Sequence, residues 1–235
     1  MTAIDNPLIA PRPTRVRWVM FALACAVSWL LYLHRYSWGV IKPYFRRENP
    51  DLTDSEVGWL DAAFNAAYAL GQVPSGLAGD RYGPRGVLAA IILCWSVAVA
   101  GVAWTTGFWR LGAVRATFGL AQAGGYPVIA KMTRSWFPLE VRTAVQGVVA
   151  SCGRIGAACA PLVIAYWLMG RCGLAWQTTL LVIMAPGIVL AVGCWLLMRN
   201  SPPEHPRVNA AEQALIDGPP LPASGPGRHL HVLSR

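Results

Sequence analysis

Charge is scarce in this chain. Of its 235 residues, 13% are Asp, Glu, Lys or Arg, where a soluble domain carries about 25%. That scarcity argues against a soluble enzyme of one or two domains. It also excludes disorder throughout, which needs many charges and few apolar residues. Acids are the rarer sign, with 11 Asp and Glu against 20 Lys and Arg. The basic residues are scattered between apolar runs, so they read as topology signals and not as a folded nucleic-acid surface. The six cysteines (Cys25, Cys94, Cys152, Cys159, Cys172 and Cys194) include no Cys-x-x-Cys pair, which leaves no zinc or thioredoxin-like motif. Most lie in apolar segments and read as small buried residues. The intramembrane serines Ser28, Ser96 and Ser151 lack a Gly-x-Ser-x-Gly context, the mark of a serine nucleophile.

Apolar residues are abundant instead. They make up 55% of the chain, with 11 Trp and a mean hydropathy of +0.42. A bilayer-crossing helix needs about 20 mostly apolar residues, and six segments qualify: roughly 18–41, 59–78, 86–104, 109–130, 144–169 and 176–198. The first run is too long for a signal-peptide core and has no small-residue cleavage site, so it reads as a span. With the N-terminus in the cytoplasm, the inner segments hold Arg12, Arg15, Arg17, Arg81, Arg85, Lys131, Arg134, Arg142, Arg199 and Arg207. The outer loops hold only Lys42, Arg46, Arg47, Arg110 and Arg171. The positive-inside rule therefore favours both ends in the cytoplasm. Thr53 and Glu56 have capping-box spacing for the start of the second helix. The expected organisation is a cytoplasmic N-terminus (1–15), a six-helix bundle (16–198) and a cytoplasmic linker with a disordered tail (199–235). A short helical turn is expected at 209–216.

Charges inside a bilayer cost at least about 2.5–3.5 kcal/mol each, so those present are functional candidates. They are His34 and Arg35 in the first span, Asp61 near the outer end of the second, Arg115 in the fourth and Arg154 in the fifth. Arginines facing a shared cavity attract an anion, and a guanidinium grips a carboxylate with two parallel bonds. The alternative is that each arginine pairs with helix-end carbonyls or snorkels, and Gly153 and Gly156 mark the fifth span as a close-packing face. Asn65, Tyr68 and Gln72 are spaced three and four apart on one helix face. Such a face looks at a cavity or at another helix, and both readings stay open.

Between the second and third spans lies GLAGDRYGPRG, residues 76–86. Gly83 and Pro84 make a tight turn, and Asp80 can pair with Arg81, Arg85 or a helix end. The pattern Gly76-x-x-x-Asp80-Arg81-x-Gly83-x-Arg85 resembles the loop signature of the major facilitator superfamily. LHRYSWGVIKP (33–43), FNAAYALGQVPSGLAGDR (64–81), the stretch 115–147 with its Trp-Phe-Pro, and RNSPPEHPRVNAAEQALI (199–216) are similar to its anion:cation symporter branch. That branch includes sialin and the hexuronate, galactonate and phthalate transporters.

The resemblance implies an all-α membrane protein, the N-terminal six-helix half of a major facilitator fold. It implies a secondary transporter of organic anions, sugar acids or other carboxylates, coupled to protons or another cation. No enzymatic activity, metal or organic cofactor is implied. Arg35 would hold the substrate carboxylate. Arg115 would communicate with the coupling acid. Asn65, Tyr68, Gln72 and Gln122 would line the site. Gly76, Asp80, Arg81, Gly83 and Arg85 would form an inner gate clamped by charge pairs. The branch often has an acid where this chain has His34 and a glutamate where it has Gln122, so either His34 or Asp61 carries the proton or the chain does not couple protons at all.

The superfamily fold has two such halves with the substrate between them, and this chain reads as one half, with a tail resembling out-of-frame translation or a premature end. Its open cavity face calls for a partner, a C-terminal half or a second copy, in an inner membrane. The alternative is a non-transporting six-span interaction protein or an inactive remnant.

Overall fold

The computed structural model describes residues 12–217, which fold into helices without a β-strand among them. The first eleven residues, and the expected disordered tail beyond 217, lie outside the described residues. Helix α1 runs Val16–Glu48. At about 1.5 Å per residue it exceeds the ~30 Å hydrocarbon core, so its last turn, with Arg46 and Arg47, projects past the apolar layer. Helix α2, Asp54–Tyr82, starts at the expected capping box: the Thr53 hydroxyl accepts from the Glu56 N–H while the Glu56 carboxylate accepts from the Thr53 N–H. The Thr53 N–H and hydroxyl both donate to that carboxylate and hold the exposed Glu56 carboxyl below the usual glutamate range. Helix α3 is Pro84–Gly101, with proline at a first-turn position where its missing N–H costs nothing; a 3₁₀ turn, Val102–Trp104, extends it.

The fourth expected span is not one helix. It breaks into α4, Phe108–Ala123, and α5, Gly125–Trp136. Pro127 has no N–H to offer the Ala123 carbonyl four residues back, which loosens the chain there. The two glycines at the break also admit close neighbours: a Cβ on Gly124 would lie 2.9 Å from Ser75, and one on Gly125 would overlap Leu31. The fifth span, α6 (Leu139–Pro161), widens after its own proline into a π-helical stretch, Leu162–Arg171. Helix α7 covers Trp176–Leu197. Four segments, α1, α3 with its turn, α6 with its π-helical end, and α7, are long and apolar enough to cross a membrane. The second and fourth expected spans are less apolar or shorter, α2 because Asn65, Tyr68, Gln72 and small residues dilute its apolar run and α4–α5 because of the break.

The helices pack mainly in pairs, α1 on α6, α2 on α4 and α3 on α7. Leu31, Leu60, Leu88, Ile92, Trp95 and Met132 lie at the buried centre. Glycines set the closest crossing: a Cβ on Gly156 would overlap the Trp29 backbone, and one on Gly153 would lie 2.7 Å from the Ser28 hydroxyl. The expected close-packing face of the fifth span is therefore real, and Arg154 beside it is exposed.

The expected helical turn after the bundle is α8, Ala210–Asp217. Its buried Glu212 accepts from the Val16 and Arg17 N–H groups, both at 3.0 Å, and from the Thr14 hydroxyl. Helix α1 has no side-chain cap of its own, because Arg15 sits there in a left-handed conformation. A carboxylate from the far end of the chain does that work, where the helix dipole favours it. Burial pushes the Glu212 carboxyl up, but the Thr14, Arg17 and Val16 donors outweigh it and hold it below the usual range.

Candidate functional site

Arg35 lies on α1 with its guanidinium among three aromatic rings. The Tyr68 ring centre is 4.3 Å away, Tyr32 is at 5.3 Å and Phe64 at 5.5 Å. Its Nε donates to Gln122 Oε1 at 3.0 Å, and Gln122 Nε2 donates to the Leu31 carbonyl at 2.8 Å. The Gln122 amide is thereby fixed with its oxygen toward the arginine. One terminal nitrogen, Nη2, is buried with no hydrogen-bond partner. Arg35 makes no ion pair among the described residues. Such a cation is costly at depth, and a carboxylate in reach of Nη2 would relieve it.

Arg115 shares the Phe64 ring, 4.9 Å from its centre, but its charge is already met. It donates to Asp61 Oδ1 at 3.1 Å. The same oxygen accepts from Trp38 Nε1 at 2.7 Å, and Lys42 Nζ holds Oδ2 at 2.5 Å. This cluster ties α1, α2 and α4 together.

His34 neighbours Arg35 in sequence but not in environment. It is wholly buried, its Nε2 donates to the Ile183 carbonyl on α7 at 2.8 Å, and Nδ1 has no partner. Its ring lies 3.3 Å from where a Gly187 Cβ would stand. Consecutive helical residues point about 100° apart, so one packs on α7 while the other meets the aromatic rings. Asn65 is exposed and donates to the Asp61 carbonyl of its own helix. Gln72 is exposed and Tyr68 is half-buried. The sequence candidates thus gather around Arg35 as Tyr68 and Gln122, around Asp61 as Arg115, and leave His34 apart.

In the glycine-rich loop, the partner of Asp80 comes from a neighbouring helix. Asp80 pairs with Lys131 of α5 at 2.9 Å, and not with Arg81 or Arg85. Arg85 turns to the end of α7, donating to the Trp195 carbonyl at 2.7 Å with its guanidinium 4.6 Å over the Trp195 ring. Arg81 lies exposed beside the Tyr82 ring. Gly76 packs 3.8 Å from Pro127, as a Cβ there would measure it. Gly83 has φ +81° with Asn200 directly against it, and Asn200 Oδ1 accepts from the Arg85 N–H at 3.1 Å. Both the backbone angle and the space select glycine.

Several contributors were not singled out from the sequence. Lys42 reads there as an outer-loop charge and Lys131 as an inner one, while Trp38 and Phe64 carry no role there. The i, i+4 spacing of Trp38 and Lys42 was the available clue for the first pair. Two apolar clefts of about 510 and 590 Å³ lie elsewhere, beside Trp18 and Phe21 and beside Trp59 and Trp109.

The Major Facilitator Superfamily model matches residues 18–233. A probable L-galactonate transporter of Escherichia coli K12 is 30% identical over 206 residues, which is 88% of this chain and 44% of that protein. A probable galactarate/D-glucarate transporter of Bacillus subtilis 168 is 30% identical over 216 residues, 88% and 46%. A probable sulfoacetate transporter of Cupriavidus necator is 27% identical over 198 residues, 84% and 45%. Among solved structures, an inward-facing, unoccupied bacterial homologue of the human lysosomal transporter Spinster superposes with a TM-score of 0.69 at 20% identity. It covers 80% of this chain and 44% of its own. The chain spans about half the length of the curated relatives it matches. With the match running through the whole bundle, the chain belongs to the major facilitator superfamily.

Proposed function

We propose that this chain is the substrate-binding half of a secondary transporter of organic anions, with Arg35 as the residue that holds the carboxylate. One observation carries the reading: Arg35 is a guanidinium at membrane depth whose buried Nη2 has no hydrogen-bond partner and whose charge has no carboxylate in reach among the described residues. Tyr68, Tyr32 and Phe64 wall the site, Gln122 orients the arginine, and Asn65 and Gln72 offer amides for substrate hydroxyls. The similarity to sugar-acid transporters supports the same substrate class. No catalytic step is assigned. The test is calorimetric binding of D-galactonate to the purified protein in lipid nanodiscs. Arg35→Ala abolishes binding and Arg35→Lys weakens it, because an ammonium lacks the planar fork. Unchanged affinity in Arg35→Ala overturns the assignment.

Proton coupling runs through Asp61 in this reading, because it is the acid touching Arg115 while His34 is buried against α7. In proteoliposomes with an imposed proton gradient, Asp61→Asn loses gradient dependence and His34→Gln keeps it. The opposite pattern reverses the two roles. The loop from Gly76 to Arg85 serves as the inner gate, through Asp80–Lys131 and the Arg85 contact with α7. A second six-helix unit closes the cavity. The protein sits in the inner membrane with both ends cytoplasmic, as the arginine bias supports, and accessibility of single engineered cysteines near residues 12 and 207 from the cytoplasmic side checks it.

A further inference from the structure

Helices α1 and α6 approach most closely where Gly153 meets Ser28 and Gly156 meets Trp29. About two turns nearer their N-termini the same two helices leave a cleft of about 510 Å³ between them. Arg17, Trp18 and Phe21 form its α1 side, and Val141, Val145 and Val148 its α6 side. On α6 these three recur at four- and three-residue spacing, so they share one helix face. Trp18, Phe21 and Phe137 meet edge to face, with ring centres 5.9, 6.4 and 6.3 Å apart. Arg142 Nε donates to the Phe137 carbonyl at 2.8 Å and holds that ring in place. The walls are thus fixed and apolar, while the rim is cationic. The Arg17 guanidinium lies 5.7 Å from the Trp18 ring and makes no ion pair among the described residues. Around the same helix starts stand Arg12, Arg15 and Arg142 against two acids, Glu140 and Glu212, and Glu212 is taken up by the N–H groups of α1.

We propose that this cleft binds an anionic phospholipid, with one acyl chain between α1 and α6 and the phosphate on Arg17. The cleft lies where the first membrane span begins, beside the half-exposed Trp18, which is the depth of the headgroups. In the topology proposed above that is the cytoplasmic leaflet. An acyl chain gains little by leaving lipid for an apolar cleft, because lipid tails are as apolar as its walls. It does supply the van der Waals contacts that two diverging helices cannot make with each other. Headgroup choice then falls to charge. An arginine at the membrane surface favours an anionic lipid, and its planar fork matches two phosphate oxygens. A zwitterionic choline headgroup brings its own cation against Arg17. An apolar protein surface seated on the cleft would cover Arg17 without a counter-ion. The site does not include Arg35, so it is independent of the substrate reading.

The purified full chain in detergent is offered equal amounts of palmitoyl-oleoyl phosphatidylglycerol and the matching phosphatidylcholine, and bound lipid is counted by native mass spectrometry. The wild type retains one phosphatidylglycerol with a preference of at least about fivefold, the effect of one arginine beside an anionic headgroup. Arg17→Gln loses most of that preference. Arg17→Lys keeps it, since an ammonium still meets phosphate as a point charge. Ala144→Trp, which puts an indole into the cleft from its exposed α6 wall, lowers retention of both lipids. Arg110→Gln, at an exposed position in the loop region before α4 and away from the cleft, leaves the preference as it is. Equal retention of the two lipids by the wild type overturns the proposal, and so does an unchanged preference in Arg17→Gln. Undiminished retention in Ala144→Trp means headgroup attraction without the cleft and overturns it as well. A chain that keeps no lipid and runs as a pair of copies also overturns it, and assigns the cleft to a second protein surface. D-galactonate binding at Arg35 is unaffected by any of these outcomes.

Discussion

At the scale of single residues, the site is governed by which charges are met and which are not. Gln122 accepts from Arg35 at 3.0 Å without neutralising it. Gln122→Glu puts an anion at that distance, and an opposite charge that close competes with the ligand. D-galactonate affinity should fall at least about tenfold at neutral pH, roughly 1.4 kcal/mol by calorimetry; undiminished binding would mean the ligand does not use Arg35. Packing offers a second residue-level test. Gly156 has no room for a side chain against the Trp29 backbone, and overpacking a tight contact costs typically about 1–3 kcal/mol. Gly156→Leu should lower the thermal midpoint in detergent clearly, whereas Gly147→Ala, which faces open space, should leave it nearly unchanged.

At the scale of elements, the informative contact joins the two ends of the described chain. Glu212 on α8 caps α1 through the Val16 and Arg17 N–H groups. Its carboxyl is held below the ordinary glutamate range in the folded state. A lowered pKa adds stability above the unfolded value, near pH 4.5, and that stability is lost as pH falls through the folded value. Glu212→Gln should therefore cost about 1–2 kcal/mol at pH 7, and the gap to wild type should close as the medium is acidified below about pH 4. A pH-independent gap in thermal midpoint would show that packing of α8, and not its charge, makes the contact. His205 on the same linker stacks edge-on against Trp136. Burial, with the nearby Arg199 charge, depresses its imidazole below the usual range, so it stays neutral at physiological pH.

At the scale of the whole molecule, α2 exposes both apolar and polar side chains. Leu70 and Val73 are 75% and 71% exposed, and Asn65 and Gln72, seven residues apart and so on one side of the helix, are exposed too. Apolar side chains tolerate lipid, but amide groups with open hydrogen-bonding positions do not. A second six-helix unit over this face relieves that cost. Expressed alone in nanodiscs, the chain should bleach in two steps when singly labelled, as a pair of copies. A uniform single step would leave the α2 face to lipid and remove the second copy from the account.

The six apolar segments, the Thr53 capping box, the glycine-rich loop and the superfamily were legible in the residues themselves, because local composition and helical spacing decide them. So was the placing of Arg35 and Arg115 inside apolar runs, where an arginine is costly wherever it points. The partners were not legible. Asp61 meets Arg115 across 54 positions, Asp80 meets Lys131 across 51, and Glu212 meets Arg17 across 195. The break between α4 and α5 needed Pro127 and the neighbours of Gly124 together, and a span predicted from hydropathy alone runs straight through it. Sequence thus determined which residues carry charge into the membrane, through burial cost and periodicity. Only the tertiary structure decided which of those charges are neutralised, because ion pairing depends on distances between helices that no single helix encodes.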